Sequence, residues 1–249
     1  MKALITGASS GIGRELAKVL SNMGYDLILV ARRKNKLDQL SKELKTNVEV
    51  IDMDISSTYN CMKLYNQVKK ENIDILINNA GFGLFGKFDE TKLDTELDMI
   101  DLNIKTVHTL TKLFLKDFKK KDSGYILNVA SAASFLPGPL MSTYYATKSY
   151  VLNLTLAIYE ELKQDGSNVY IGCLCPGPVN TEFNKVAKIK YSLKSLESNI
   201  VASEAINKMF KRKLVIIPSF KTKLGINLSK ILPTKLKTKA SYKIQSAKC

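Results

Sequence analysis

Tyr144 and Lys148 lie four residues apart in the run Tyr144-Tyr145-Ala146-Thr147-Lys148, a spacing that places both side chains on one face of a helix. Such a pair can protonate an oxygen on which negative charge develops, with the phenol giving the proton and the ammonium stabilising the phenolate left behind. A tyrosine with its ordinary pKa of about 10 forms that anion sparingly at neutral pH. An ammonium roughly 4 Å away, at an effective dielectric of about 20, favours the anion by about 4 kcal/mol and so lowers the hydroxyl's pKa by about three. Ser131 stands thirteen residues before Tyr144, and its hydroxyl can donate to the same oxygen. Tyr145, three residues from Lys148, and Ser134, close to Ser131, compete for the same two roles.

Elements that could position these groups follow from the hydrophobic pattern. Short runs rich in Ile, Leu and Val alternate with amphipathic stretches: strands over Lys2–Thr6, Asp26–Ala31, Val48–Asp52, Ile73–Asn78, Tyr125–Ala130, Asn168–Cys175 and Leu214–Ile217. Helices fall between them over Ile12–Met23, Asn35–Leu44, Thr58–Glu71, Leu93–Phe118 and Ser142–Lys163. Strands that are apolar on both faces and separated by crossover helices imply an α/β fold, a doubly wound parallel sheet of about seven strands with helices on both faces. In such a fold, ligands bind beyond the carboxyl ends of the strands.

The residues after each strand carry the chemistry. Thr6-Gly7-Ala8-Ser9-Ser10-Gly11-Ile12-Gly13 follows the first strand and opens a helix, the setting in which a glycine turn brings a pyrophosphate up to helix N–H groups. Its Gly-x3-Gly-x-Gly spacing departs from the G-x-G-x-x-G dinucleotide fingerprint. The second strand ends in Val30-Ala31-Arg32-Arg33 with no acid to bond a ribose 2′-hydroxyl, and guanidinium groups suit a 2′-phosphate. The cofactor expected is therefore NADP(H).

Asp52-Met53-Asp54-Ile55 follows the third strand, Asn78-Asn79-Ala80-Gly81 the fourth, and Pro176-Gly177-Pro178-Val179-Asn180-Thr181 the sixth. Together with the TGxxxGxG turn and the Tyr-x3-Lys pair, these segments resemble the short-chain dehydrogenase/reductase family across about 180 residues. The resemblance implies an oxidoreductase that moves a hydride between nicotinamide and a carbonyl or secondary alcohol. It selects Tyr144 and Ser131 over Tyr145 and Ser134, and adds Asn103 as the group that holds a water linking Lys148 to solvent. It also implies that Gly7, Ser9, Ser10, Gly11, Ile12 and Gly13 cradle the cofactor's phosphates. Asp54 and Ile55 would touch adenine, with Asp52 the competing acid, and Asn79, Ala80 and Gly81 the adenine ribose. Pro176, Gly177, Val179 and Thr181 would hold the nicotinamide, with Tyr144 and Lys148 also touching the cofactor. Phe82, Leu84, Phe85, Ser134, Phe135, Leu136, Leu140 and Met141, followed by the stretch 183–200, are expected around the substrate, an apolar ketone or alcohol of ketone-reductase or hydroxysteroid type, with a 3-oxoacyl thioester as the alternative.

Length and an apolar content of 45% over 249 residues suit one core, read as a domain over 1–219 and a basic amphipathic extension over 220–249. Of the net charge of +15, the eight lysines after Phe220 supply +8 with no acid among them. No nucleic-acid motif accompanies that charge, so a nucleic-acid partner is not expected; an NADPH-sensing protein is the other class, against which the intact tetrad argues. Phe220, Leu224, Leu228 and Ile231 recur at helical spacing, and their stripe is expected to dock on the body or a second subunit, with weak attachment to an acidic membrane surface as the second reading. A homo-oligomer is expected from the resemblance. Cys173 and Cys175 at strand spacing and a lone histidine, His108, leave no metal set. No apolar run reaches the roughly 20 residues of a membrane span, and a strand directly after Met1 leaves no room for a secretion signal, so a cytoplasmic location is expected.

Overall fold

The computed structural model describes residues 1–187 and 195–247. The strands are β1 (Lys2–Thr6), β2 (Asp26–Ala31), β3 (Val48–Asp52), β4 (Ile73–Asn78), β5 (Tyr125–Val129), β6 (Tyr170–Leu174), β7 (Val179–Asn180), β8 (Leu196–Glu197) and β9 (Val215–Ile216). The helices are α1 (Gly11–Asn22), α2 (Lys34–Glu43), α3 (Thr58–Val68), α4 (Leu93–Ile100), α5 (Val107–Lys120), α6 (Ser142–Gln164), α7 (Phe183–Val186), α8 (Ser198–Phe210), α9 (Phe220–Lys230) and α10 (Thr234–Ser246).

Seven strands form one parallel sheet in the order β3-β2-β1-β4-β5-β6-β9, while β7 and β8 pair separately. Successive side chains along a strand point to opposite faces, which accounts for the unbroken apolar runs. On β1 and β2, Ala3, Ile5, Leu27 and Leu29 pack under α1, α2 and α8, and the intervening Leu4, Ile28 and Val30 pack under α3, α5 and α6. The chain winds outward from β1 to β3 and then resumes at β4 on the other side of β1. That reversal opens a crevice at the carboxyl ends of β1 and β4.

Two expectations are corrected. The helix read as continuous over Leu93–Phe118 is interrupted by a π-helical stretch at Asp101–Thr106. The wider turn is anchored from inside: Thr106 Oγ1 donates to the Ile55 carbonyl at 2.5 Å and Asn103 is fully buried. In the extension, a second helix, α10, follows Pro233, and the apolar stripe of α9 does not dock on the body. Ile226 and Ser229 face inward instead, while Phe220, Leu224, Leu228 and Ile231 are exposed. No helix among the described residues is long and apolar enough to cross a membrane.

Candidate active site

The glycine turn is shaped by what packs behind it. Gly7 has φ +66°, and a Cβ there would meet Ala80 Cα at 2.8 Å; a Cβ on Gly13 would fall 2.5 Å from the Gly7 carbonyl oxygen and 2.4 Å from Asn79 Nδ2. Only glycine satisfies these approaches. Asn79 clips the turn in place, its Nδ2 donating to the carbonyls of Thr6 at 3.0 Å and Gly7 at 3.1 Å, while Thr6 Oγ1 accepts from the N–H groups of Asn79 and Ala80. Ser10, the residue before α1, makes no side-chain cap to that helix. The first N–H groups of α1 therefore remain available to an anion.

The two arginines after β2 part company. Arg33 turns toward the glycine loop, donating to Ser9 Oγ at 3.0 Å and Ser10 Oγ at 2.8 Å. Its remaining nitrogen pairs with Glu182 at 2.7 Å, and Lys36 reaches the same carboxylate at 2.5 Å. Lys36 and Arg33 together hold the Glu182 carboxyl well below the usual range, at about 2. Arg32 points to solvent and comes within 3.6 Å of Asp54.

Tyr144 and Lys148 lie buried on α6, one turn apart, with Ser131 at the end of β5. Burial pushes the Tyr144 hydroxyl up to about 12, with the facing Ser131 hydroxyl pulling the other way. Desolvation outweighs any lowering here, and Lys148 Nζ donates to the Val129 carbonyl at 3.0 Å while sitting over the Tyr144 ring, 6.0 Å from its centre. Burial also brings Lys148 down to about 8. Asn103 spends its amide on neighbours: Nδ2 donates to the Phe82 carbonyl at 2.9 Å and to Thr147 Oγ1 at 3.1 Å, and Oδ1 accepts from the Phe82 N–H at 3.1 Å. It thereby ties the π-helical stretch to both α6 and the turn after β4.

Arg33, Glu182, the glycine turn, Ser131, Tyr144 and Lys148 border one cavity of about 470 Å³, whereas Asn103 and Lys36 do not line it. The chain matches the short chain dehydrogenase family over residues 1–191. It belongs to that family. It is 35% identical over 182 residues to an uncharacterised oxidoreductase of Staphylococcus epidermidis, covering 72% of this chain and 78% of that one. It is 33% identical to the human very-long-chain 3-oxoacyl-CoA reductase over 75% of this chain, and spans 62% of that protein's length. A short-chain dehydrogenase from Sphingobium yanoikuyae in complex with NADPH superposes with a TM-score of 0.82 at 30% identity, over 93% of this chain and 96% of that one.

As a short-chain dehydrogenase, the chain is an NADP(H)-dependent oxidoreductase acting on CH–OH/C=O groups. The residues present fit that cofactor: open helix N–H groups at the glycine turn, a turn on which Cβ atoms would intrude, and two cations, Arg33 and Lys36, beside Ser9 and Ser10. Every residue expected around the cofactor lines the cavity except Gly13, which is packed behind the turn.

The substrate end differs from expectation. Phe82 and Met141 line it, as do Phe183 and Val186 of the expected stretch 183–200, in which residues 188–194 lie outside the described residues, whereas Leu84, Phe85, Ser134, Phe135, Leu136 and Leu140 do not. Phe85 packs into a small cluster with Met99 and Tyr144, Phe135 packs near Val151 and Leu152, and Leu140 is held in a turn at φ +65° by its carbonyl bond to the Gly86 N–H. For Leu136 the structure offers no comparable anchor. Tyr145, which is not among the expected residues, completes the wall. Sequence reasoning also missed Lys36, one helical turn past Arg33, and Glu182, the residue directly after Thr181. Their signal was adjacency to motifs already identified.

Proposed function

We propose that this enzyme reduces the 3-oxo group of acyl thioesters with NADPH. The similarity to the human very-long-chain 3-oxoacyl-CoA reductase carries this reading, and two features of the chain support it. The wall of Phe82, Met141, Tyr145, Phe183 and Val186 suits an acyl chain, and a net charge of +15 favours the approach of a phosphorylated thioester carrier. The apolar wall alone is equally compatible with a bulky or steroid-like ketone, the substrate class first expected, and no polar group in it is specific to such a ring system.

Bound NADPH supplies the hydride. In this reading Tyr144, kept protonated by burial, gives its proton to the carbonyl oxygen as negative charge develops there, and the Ser131 hydroxyl donates to the same atom. Lys148, fixed by the Val129 carbonyl, carries the positive charge that offsets the phenolate. Asn103 acts through position, holding the Phe82 backbone against α6.

NADPH oxidation measured against 3-oxoacyl thioesters of increasing chain length and against bulky ketones tests the substrate class. Thioesters are expected to turn over faster, with KM falling as the chain lengthens; turnover of ketones alone would replace this reading with the other. Tyr144→Phe is expected to lower the rate by about 100- to 10,000-fold while NADPH still binds by fluorescence, and Tyr145→Phe to remain active.

A further inference from the structure

We infer that α9 and the start of α10 form a docking face for an anionic lipid surface, an inference that stands independently of the substrate reading. Helices at a protein surface ordinarily turn their apolar stripe inward. On α9 the arrangement is reversed. Thr222, Ile226 and Ser229 face the body, whereas Phe220, Leu224, Leu228 and Ile231 form the opposite stripe, with Phe220 and Ile231 79% and 80% exposed. Leu232 and Leu236 continue the exposed apolar surface into α10.

Charge selects the occupant. Lys221, Lys223 and Lys230 accompany the stripe on α9, Lys235, Lys237, Lys239 and Lys243 follow on α10, and no acidic residue occurs between Phe220 and Cys249. A second copy meeting this face about a two-fold axis would set these lysines against their equivalents, because such an interface pairs one patch with itself. An anionic bilayer interface takes both parts at once: leucine and phenylalanine side chains enter the boundary with the acyl chains, and the ammonium groups meet the headgroups. The eleven residues of α9 span about 16 Å, enough to lie along a surface and too few to cross it.

The same segment touches the substrate end of the cavity. A Cβ on Gly177 would come within 2.6 Å of Thr222 Oγ1 on α9, and Gln245 of α10 hydrogen-bonds the Tyr145 hydroxyl. Gly177 and Tyr145 both line the cavity. A lipid surface against the outer stripe would therefore lie about one helix diameter, roughly 10 Å, from the cavity wall.

Flotation of the full chain with vesicles of phosphatidylcholine alone and of an equimolar phosphatidylcholine–phosphatidylserine mixture tests the inference, alongside sedimentation for oligomeric state. Binding is expected to the anionic vesicles and to fall about tenfold or more on neutral ones or in high salt. Combining Leu224→Glu with Leu228→Glu is expected to reduce it at least as much, while the melting temperature and NADPH oxidation of a soluble substrate stay unchanged. Neutralising Lys221, Lys223 and Lys230 to Gln supplies a second variant with the same expected loss. Failure to bind anionic vesicles, or binding that survives the glutamate pair, would overturn the inference. So would a dimer that the glutamate pair splits without any vesicle binding, which would assign the face to a second copy.

Discussion

At the scale of single residues, charge placement distinguishes groups that look equivalent in the chain. Arg33 meets both serine hydroxyls of the glycine turn, and Arg32 does not. Hydrogen bonds to charged groups contribute about 1.5–3 kcal/mol each, so Arg33→Ala is expected to raise KM for NADPH by about 10- to 100-fold while leaving NADH nearly unaffected, and Arg32→Ala to do markedly less; steady-state kinetics with both cofactors checks this. Lys148 makes a second prediction. Burial lowers its pKa to about 8, so it is mainly charged at neutral pH and loses its charge as pH rises through that value. In the proposed mechanism carbonyl reduction depends on that charge and is expected to decline above about pH 8. A pH–rate profile of kcat should show the inflection in the wild type and lose it in Lys148→Arg, whose guanidinium does not titrate there. Tyr144, raised to about 12, stays protonated across the same range and adds no inflection near neutrality.

At the scale of elements, α6, which carries Tyr144 and Lys148, is joined to the sheet by buried polar contacts that no motif announces. Asn78 Nδ2 on β4 donates to Thr111 Oγ1 at 3.1 Å and to Asn128 Oδ1 on β5 at 2.9 Å, and Asn128 Nδ2 continues to Thr155 Oγ1 on α6 at 3.0 Å. Thr155 closes the chain by donating to the Val151 carbonyl at 2.7 Å. These bonds fix α6 at a set height over the carboxyl ends of the strands, where Tyr144 must meet Ser131. Thr155→Val keeps the volume and strands the Asn128 amide, a loss of about 1–3 kcal/mol, expected as a lower urea midpoint with an unchanged slope. The π-helical stretch around Asn103 is another case. Its sequence pattern reads as ordinary helix because apolar spacing does not reveal a wider turn, and Thr106 and Asn103 anchor that turn by bonds to the Ile55 and Phe82 carbonyls in loops earlier in the chain.

At the scale of the whole molecule, the cofactor cavity joins segments distant in sequence: Glu182, before α7, bridges to Arg33 and Lys36, 149 and 146 residues earlier, and Phe183 packs against Tyr144 with ring centres 5.3 Å apart and planes tilted by 52°. A ligand that engages these segments together ties the glycine turn to the substrate wall. NADPH at about 100 times its Kd is expected to stabilise the fold by about 2.7 kcal/mol, seen as a rise in melting temperature of about 5–10 °C, with NADH giving a smaller rise at the same concentration. Equal shifts for the two cofactors would speak against a role for Arg33 and Lys36 at the 2′-phosphate.

The sequence by itself determined the sheet, the glycine turn and the Tyr144–Lys148 pair, because strand alternation, helix spacing and glycine placement are local rules written into consecutive residues. It also located Ser131 and the arginines, since each sits just past a strand end. Tertiary structure decided which arginine faces the turn, that Glu182 joins it from 149 residues away, which apolar residues form the substrate wall, and that the stripe on α9 faces outward. Those outcomes depend on which surfaces meet after folding: a phenylalanine such as Phe135 becomes core or pocket lining according to its neighbours in space, and the same spacing of leucines serves a buried face or an exposed one.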